Sequence, residues 1–246
     1  MAVHPPALRP RLKRLRSFVS DQILYPARIT YYHLRYPKES IFSVIHRTRA
    51  WGQGDSVSGG GSDLPETRTV RTLLPMLLAE LGVHSMLDAP CGDFHWMSRV
   101  DLSLDRYIGV DIVEEIITAN RTQFERPGVS FFQRDIANED LPRADLILCR
   151  DCMVHMSNPE IVRTLQNFRR SGATYLLATT YPGTVRQNRS IPNGMWRYLD
   201  LQRPPFNFPE PLRLIAEETQ EIYKAKSLGL WRLADLTVAD LPRLGT

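Results

Sequence analysis

The stretch that decides the fold is MLDAPCGDFHWM, residues 86–97. An apolar run reaches Asp88, crosses a turn that contains Pro90 and Gly92, and then becomes apolar again. A loop that binds a dinucleotide needs three glycines, two of them so that the backbone can approach a pyrophosphate. This loop has one glycine, with the acidic Asp93 beside it. We therefore expect a strand that ends at a ligand site, and a ligand that offers this loop no phosphate.

Beyond residue 50 the sequence alternates between strand and helix patterns. The candidate strands are mostly continuous apolar runs, as expected of strands buried on both faces, and they span residues 85–89, 107–112, 129–134, 144–149 and 174–180. Capping signals and helical spacing predict one helix that begins at Asp63 and two more that span residues 113–123 and 159–170. This alternation predicts an α/β fold: a Rossmann-like, mostly parallel sheet with helices on both faces, preceded by an N-terminal helical arm.

Composition excludes several classes of protein. The chain has 246 residues, 43% of them hydrophobic and 24% charged, which fits an ordinary globular domain. No apolar stretch approaches the roughly 18 residues of a membrane span, and the N-terminus has no signal-peptide core, so we expect a cytoplasmic protein. Three cysteines are too few for a disulfide scaffold. Cys149 and Cys152 form a lone C-x-x-C without the second pair that structural zinc requires.

The charge is unevenly distributed, and we divide the chain into a basic helical arm, residues 1–50, and a main domain, residues 51–246. The arm has ten Lys and Arg against Asp21 and Glu39, a net charge of +8, whereas the rest of the chain has −4. In residues 9–25, RPRLKRLRSFVSDQILY, apolar residues recur at helical spacing between basic ones. This pattern predicts either a helix packed on the main domain or peripheral contact with an anionic membrane, and it disfavours nucleic acid as a partner.

In a parallel sheet the ligand lies at the carboxyl ends of the strands, near the point where strand order reverses. The residues just past the first four strands are the cofactor-site candidates: Asp88, Ala89, Cys91, Gly92, Asp93, Asp111, Ile112, Asp135, Ile136 and Arg150. Asp111 follows Gly92 by 19 residues, close to the spacing of about 20 at which a carboxylate meets ribose hydroxyls. A nucleoside that carries an amine and a carboxylate suits these groups, with Asp88 or Asp93 near the ammonium and the Gly92 amides near the carboxylate.

Five segments resemble the motif series of class I S-adenosylmethionine-dependent methyltransferases: LDAPCGDF (87–94), YIGVDI (107–112), FFQRDI (131–136), LILCRD (146–151) and LLATTY (176–181). The resemblance covers about residues 84–181 and implies S-adenosylmethionine as the cofactor. Pro90 and Cys91 depart from the commoner glycine-rich first motif.

A wider set of segments resembles bacterial sugar O-methyltransferases, among them those of methylmannose polysaccharide assembly. These segments are WGQGDSVSGGGS (51–62), CRDCMVHMS (149–157) and LDLQRPPF (199–206), together with the first motif. The resemblance implies a small-molecule or oligosaccharide acceptor.

Methyl transfer to a hydroxyl needs a group that removes the proton, and Asp151 and His155 stand four residues apart just past the fourth strand. We predict that His155 is the general base, with a pKa near neutrality, and that Asp151 orients it or holds a divalent ion such as Mg²⁺. The alternatives are a helix N-cap for Asp151 and a core histidine for His155. Gly59 and Ser62 predict that the Gly-rich loop forms a lid over the cofactor.

The acceptor pocket is predicted from residues after the fifth strand, Tyr181, Arg186, Asn193 and Trp196. Segment 182–211 is too rich in proline for regular structure, but its aromatic residues favour an ordered loop. Two other classes stay open, a nucleic-acid methyltransferase that uses the basic arm and a cofactor-binding protein without chemistry. The sequence CRDC after the fourth strand disfavours the former, since base methyltransferases have an Asn/Asp-Pro-Pro-aromatic motif there. The oligomeric state is left open.

Overall fold

A computed structural model describes residues 24–37, 40–51, 54–217 and 225–236, so most of the helix predicted over residues 9–25 lies outside the described residues. Seven strands form one sheet in the order β3-β2-β1-β4-β5-β7-β6. The strands are β1 Ser85–Asp88, β2 Arg106–Asp111, β3 Val129–Gln133, β4 Leu146–Cys149, β5 Tyr175–Thr180, β6 Arg213–Ala216 and β7 Ser227–Arg232. Strand β7 pairs antiparallel with β5 and β6, and the other neighbouring strands are parallel. The predicted fold class is confirmed.

The helices of the described residues are α1 Tyr25–Arg35, α2 Ile41–Thr48, α3 Arg68–Glu80, α4 Glu114–Phe124 and α5 Asn158–Arg170. The predicted bounds of α4, α5 and all five predicted strands are confirmed to within two residues. The predicted start of α3 is wrong. Asp63 does not cap the helix, because its carboxylate accepts the Ser56 N–H while its carbonyl accepts the Thr67 N–H, and the helix begins only at Arg68.

The two faces of the sheet carry separate hydrophobic clusters. Every residue of β4 is fully buried, as an apolar run in a central strand requires. Ile147 and Cys149 face the cluster that contains α5, whereas Leu146 and Leu148 face the cluster that contains α3 and α4. Burial of each large aliphatic side chain stabilises the fold by about 1.5 to 3 kcal/mol. The alternation of side chains along one short strand therefore fixes helices on both sides.

The loop after β1 enters the crevice where strand order reverses, between β1 and β4. The Ala89 N–H donates to the Leu148 carbonyl at 2.8 Å, and the Cys91 N–H donates to the Val110 carbonyl at 2.8 Å. The first bond ties the loop to β4 and the second ties it to β2. This stretch, residues 86–97, which we call the opening motif, is consequently held at the carboxyl edge of the sheet, where ligands bind in this architecture.

Segment 182–211 has no helix or strand, as predicted, and Asn188 organises it. The buried Asn188 amide nitrogen donates to the carbonyls of Asp200 (2.8 Å), Arg203 (3.0 Å) and Pro204 (3.1 Å), while its Oδ1 accepts the Asp200 N–H at 3.0 Å. Phe206 and Phe208 are buried in the core cluster that contains α5. One side chain thus closes a loop whose prolines prevent regular pairing.

Helices α1 and α2 pack on the main domain through Ile29, Ile41 and Ile45. Gly194 lies against them with φ +87°, and a Cβ there would come within 2.9 Å of both Ile41 and Ile45. The boundary predicted at residue 50 therefore falls between residues that pack together, whereas the packed-helix interpretation of segment 9–25 concerns residues that lie almost wholly outside the described part of the chain. In the part of the chain that the structure describes, no helix has the length and apolar character needed to cross a bilayer.

Replacing Asn188 with aspartate tests the role of this amide. The substitution Asn188→Asp would turn a carboxylate oxygen toward the three carbonyls, so we expect a loss of unfolding free energy of about 2 to 4 kcal/mol. Urea denaturation followed by circular dichroism measures it. The exposed Asn207 gives the matched control Asn207→Asp with a change under about 0.5 kcal/mol. Equal stability of the two variants would contradict the assignment.

Candidate functional site

A cavity of about 1050 Å³, measured to its open mouth, lies at the carboxyl ends of β1, β2 and β4. Most of the predicted site residues line it: Ser62, Asp88, Cys91, Gly92, Asp111, Ile112, Asp135, Ile136, Arg150, Asp151 and His155. The rule that places ligands beyond the strand ends therefore located the cavity correctly. Ala89, Asp93 and Gly59 do not line it, and neither do the four predicted acceptor residues.

Asp111 ends β2 with its carboxylate directed at the opening motif. Its Oδ2 accepts the Gly92 N–H at 3.2 Å and its Oδ1 accepts the Val113 N–H at 2.9 Å. Burial raises the pKa of Asp111 to about 6, although these backbone N–H groups favour the ionised form. A carboxylate has room for further hydrogen bonds on both oxygens, so Asp111 is suited to accept hydroxyl groups of a ribose.

Asp88 ends β1 and is the most deeply buried carboxyl of the opening motif. The Tyr107 hydroxyl donates to its Oδ2 at 2.7 Å. Burial raises the pKa of Asp88 to about 7, so the group is partly protonated near neutral pH. A cationic ligand group placed beside it would favour the ionised form and would be bound more tightly as a result.

Asp93 holds the lid loop, residues 54–62, instead of facing the cavity. Its carboxylate accepts the Ser56 hydroxyl (2.8 Å) and the N–H groups of Val57 (2.8 Å) and His95 (3.2 Å). Its own N–H donates to the Ser58 hydroxyl at 3.0 Å. The predicted contact between Asp93 and a ligand ammonium is thus replaced by anchoring of the loop.

The lid loop closes one side of the cavity with Val57, Ser58 and Ser62. A Cβ on Gly92 would meet the Ser58 hydroxyl at 2.3 Å, so the loop approaches the opening motif as closely as a glycine allows. Gly59 has φ +99° and lies against Trp51, away from the cavity. The predicted lid position fits this arrangement for Ser62 and not for Gly59.

A buried ion cluster lies beneath the cavity and consists of Arg150, Asp151, Glu217 and Lys226. Arg150 contacts Glu217 at 2.6 Å and Asp151 at 3.2 Å, and Lys226 contacts Asp151 at 2.5 Å and Glu217 at 3.6 Å. The side chains of Arg150, Glu217 and Lys226 are at most 4% exposed. Two cations and two carboxylates therefore neutralise one another in the absence of much solvent.

Two members of the ion cluster, Asp151 and Arg150, line the cavity. Asp151 has φ +52°, and its N–H donates to the Thr179 hydroxyl at 2.8 Å. A Cβ on Gly61 would lie 2.7 Å from its carboxylate, so the lid loop also requires glycine at this contact. Burial opposes ionisation, but Lys226 and Arg150 outweigh it and hold the pKa of Asp151 below its ordinary value.

The alternative roles considered for Asp151 do not fit this geometry. It is not a helix N-cap, because residues 153–155 form a short 3₁₀ turn and Ser157 caps α5 by accepting the Glu160 N–H at 3.4 Å. The donor set also does not fit a divalent cation, since two cationic side chains already occupy the Asp151 carboxylate. Among the described residues, no three His, Cys, Asp or Glu side chains are grouped as metal ligands.

His155 forms part of the cavity wall and is held on two sides. Its Nδ1 lies 3.1 Å from the Met195 carbonyl, which requires a proton on Nδ1 and leaves Nε2 as the acceptor of the ring. Its ring packs on Trp51 with centroids 4.7 Å apart. Burial lowers the pKa of His155 to about 4, although Asp151 opposes the shift. The predicted pKa near neutrality is therefore wrong, because burial disfavours the charged form of the ring.

The structure adds cavity residues that sequence reasoning missed. Phe42 and His46 of α2, together with Trp51, form a wall contributed by the N-terminal segment. The i, i+4 spacing of Phe42 and His46 was a usable signal, since it places both side chains on one helix face. The buried Nδ1 of His46 has no hydrogen-bond partner within the described residues. A polar ligand atom at this wall would satisfy it.

The residues predicted to bind the acceptor have other contacts. Tyr181 is 1% exposed, and its ring packs against Trp196 and Tyr198 with centroids 6.1 and 5.3 Å away. Asn193 accepts the Ser157 N–H at 2.7 Å and so supports the start of α5, while Arg186 is exposed outside the cavity. None of the four lines the cavity, and part of its wall comes from the N-terminal segment instead.

Residues 86–172 match the family model described as a methyltransferase domain. A search of curated proteins found no match.

Among solved structures, the chain is similar to magnesium protoporphyrin IX methyltransferase from Synechocystis PCC 6803, with 12% identity, a TM-score of 0.50, and coverage of 78% of this chain and 94% of that one. It also resembles the N-methyltransferase NodS from Bradyrhizobium japonicum WM9, with 15% identity, a TM-score of 0.49, and coverage of 70% and 98%. The methyltransferase domain of the bacterial protein CtHen1-C has 16% identity and a TM-score of 0.42; 48% of this chain is covered, and the match spans 66% of that domain. Residues 86–172 therefore match a methyltransferase domain, and the fold of the chain is similar to that of a solved methyltransferase.

Proposed function

We propose that the protein is an S-adenosylmethionine-dependent O-methyltransferase that acts on a sugar or oligosaccharide hydroxyl. The observation that carries the proposal is His155, a neutral imidazole in the cavity wall whose Nδ1 proton is engaged by the Met195 carbonyl. Its Nε2 is then the acceptor that a hydroxyl group requires at the moment of transfer. The likeness to solved methyltransferases supports the fold, and the sugar acceptor rests on the sequence resemblance and on the chemistry of the cavity.

The cavity residues fit the proposed cofactor. Asp111 would accept the ribose hydroxyls, and the partly protonated Asp88 would ionise beside the cofactor ammonium. Apolar surface for the adenine base of the cofactor comes from Ile112, Val113 and Ile136. When bound, S-adenosylmethionine supplies an electrophilic methyl group on a sulfonium.

The protein would contribute to the reaction by positioning the reactants, excluding water and supplying a proton acceptor. His155 Nε2 would take the proton of an acceptor hydroxyl as that hydroxyl attacks the methyl group, and would then pass the proton to solvent. The lid loop excludes water because Asp93 holds it on the opening motif. A base with a pKa near 4 is weak, so most of the acceleration must come from positioning.

The wall opposite the opening motif suits a sugar ring. Phe42 and Trp51 present aromatic surface on which the C–H face of a sugar packs, and the unsatisfied Nδ1 of His46 suits one of its hydroxyls. Glu160 adds a second polar group to the lining. The mixture of aromatic rings with a few polar atoms is the composition expected of a site for a small polar molecule.

The direct test incubates the protein with methyl-labelled donor and separate pools of sugars, lipids and RNA, each with Mg²⁺ or with EDTA. We expect label in the sugar pool, in both metal conditions. Label confined to RNA or to lipid would replace the acceptor assignment. Donor binding without any transfer would favour a binding protein that has no chemistry of its own.

Donor affinity should depend on Asp111. A hydrogen bond to a charged group contributes about 1.5 to 3 kcal/mol, so Asp111→Ala should weaken donor binding at least about tenfold. Isothermal titration calorimetry of the folded variant measures it. The exposed Asp101 provides the matched control Asp101→Ala, which should leave the affinity unchanged. If both variants bind the donor like the wild type, the carboxylate does not contact the donor.

Turnover should depend on His155. Loss of a general base costs about 10² to 10⁴ in rate, so His155→Gln should lower kcat by that factor while donor affinity stays the same. The exposed His84 gives the control His84→Gln, with normal turnover. If the variants of both histidines retain wild-type kcat, the base lies elsewhere.

The pH profile separates this base from an ordinary histidine. Because the pKa of His155 is about 4, its neutral form predominates above about pH 5, and kcat should stay flat between pH 8 and 6. It should fall as the pH drops toward 4. A wild-type profile with a midpoint near 6.5, absent in His155→Gln, would show that the ring titrates as an exposed histidine and would contradict the buried geometry.

A further inference from the structure

We propose that the outer face of helix α1 is a docking surface for an anionic membrane. Three large apolar side chains are exposed on this short helix: Leu24 at 53%, Tyr31 at 56% and Leu34 at 78%. Isolated exposed apolar residues are common on proteins, so the spacing of the three decides whether they form one surface.

The exposed apolar residues lie along a single stripe. With Ala27, which is also exposed, they follow the spacing 3, 4, 3 through the helix. At about 100° per residue, the four positions fall within an arc of about 80°. The buried Ile29 lies on the other side of the helix, where it packs with Ile41 and Ile45. Helix α1 therefore has two apolar faces, one packed on the protein and one directed outward.

Basic residues border the outer stripe. Arg28 and Arg35 are exposed and lie at about 20° to 40° from Leu24 on the helical projection. Arg35 and Arg47 stand over the Tyr36 ring at 5.2 and 5.3 Å. Residues 1–50 together have a net charge of +8. An apolar stripe flanked by arginines is the pattern of helices that lie in the interface of anionic membranes.

Charge complementarity distinguishes a membrane from other occupants. A second copy docked on the stripe would bring Arg28 and Arg35 of both copies close together, which repulsion disfavours. A nucleic acid would engage the arginines but would leave Leu24, Tyr31 and Leu34 without an apolar environment. A membrane with anionic lipids accommodates both kinds of group, because the apolar side chains insert among the acyl chains and the neighbouring arginines contact the anionic headgroups.

The stripe is held in a fixed orientation next to the cavity. The Tyr25 hydroxyl donates to the Gly194 carbonyl and accepts the Trp51 indole N–H at 2.7 Å. His33 contacts the Asn193 carbonyl at 2.9 Å. Since Trp51 also lines the cavity, the inner face of α1 is tied to the cavity wall while its outer face stays available.

Co-sedimentation of the full chain with vesicles tests the proposal without any methyl donor, so its outcome is independent of the proposed enzymatic function. We expect binding to vesicles of phosphatidylcholine with 30% phosphatidylglycerol, chosen as about physiological anionic charge, and little binding to phosphatidylcholine alone. The double substitution Leu24→Ser with Leu34→Ser should weaken binding at least about tenfold. Met76 of α3 is 65% exposed and gives the control Met76→Ser, which should bind normally.

Three results would overturn the proposal. The first is no binding to anionic vesicles. The second is binding that the double substitution leaves unchanged, which would assign attraction to charge alone. The third is a dimer of the wild type, detected by light scattering, that the double substitution dissociates, since the stripe would then be covered by a second copy. A circular dichroism melt of each variant confirms that the chain remains folded.

Discussion

The buried ion cluster of Arg150, Asp151, Glu217 and Lys226 is the constraint on which the rest of the site depends. Its members come from the end of β4 and from the ends of β6 and β7 that face the same edge, so it joins the parallel and antiparallel parts of the sheet beneath the cavity. Removing one partner of a buried ion pair costs about 3 to 5 kcal/mol, because the remaining charges lose their compensation. The cluster therefore fixes the cavity floor through electrostatics where the apolar core ends.

Two carboxylates, Asp93 and Asp151, position the lid loop. The Asp93 carboxylate accepts hydrogen bonds from Ser56 and Val57 of the lid loop. The Asp151 carboxylate lies so close to Gly61 of the same loop that a side chain at Gly61 would clash with it. The lid loop is thus attached at both of its ends to motifs at the carboxyl edge of the sheet.

The sequence predicted the parts of the structure that depend on local pattern. Apolar runs located β1 to β5, and the ends of those strands located the cavity. Contacts between distant residues were out of reach, as for Glu217, which pairs with Arg150 across 67 residues, and for Lys226, which pairs with Asp151 across 75. Asp93 was misassigned because its partner Ser56 lies in a loop without periodicity. The pKa of His155 was misjudged because burial is a property of the packed fold and leaves no mark in the local sequence.

We infer that a nucleoside methyl donor occupies this cavity with its reactive end toward His155. A crystal structure of the protein with S-adenosylhomocysteine tests it most directly. We expect the ribose hydroxyls within about 3.2 Å of the Asp111 carboxylate and the sulfur on the side of the cavity formed by His155 and Trp51. A ligand bound outside the cavity, or bound with its sulfur directed away from His155, would contradict the account.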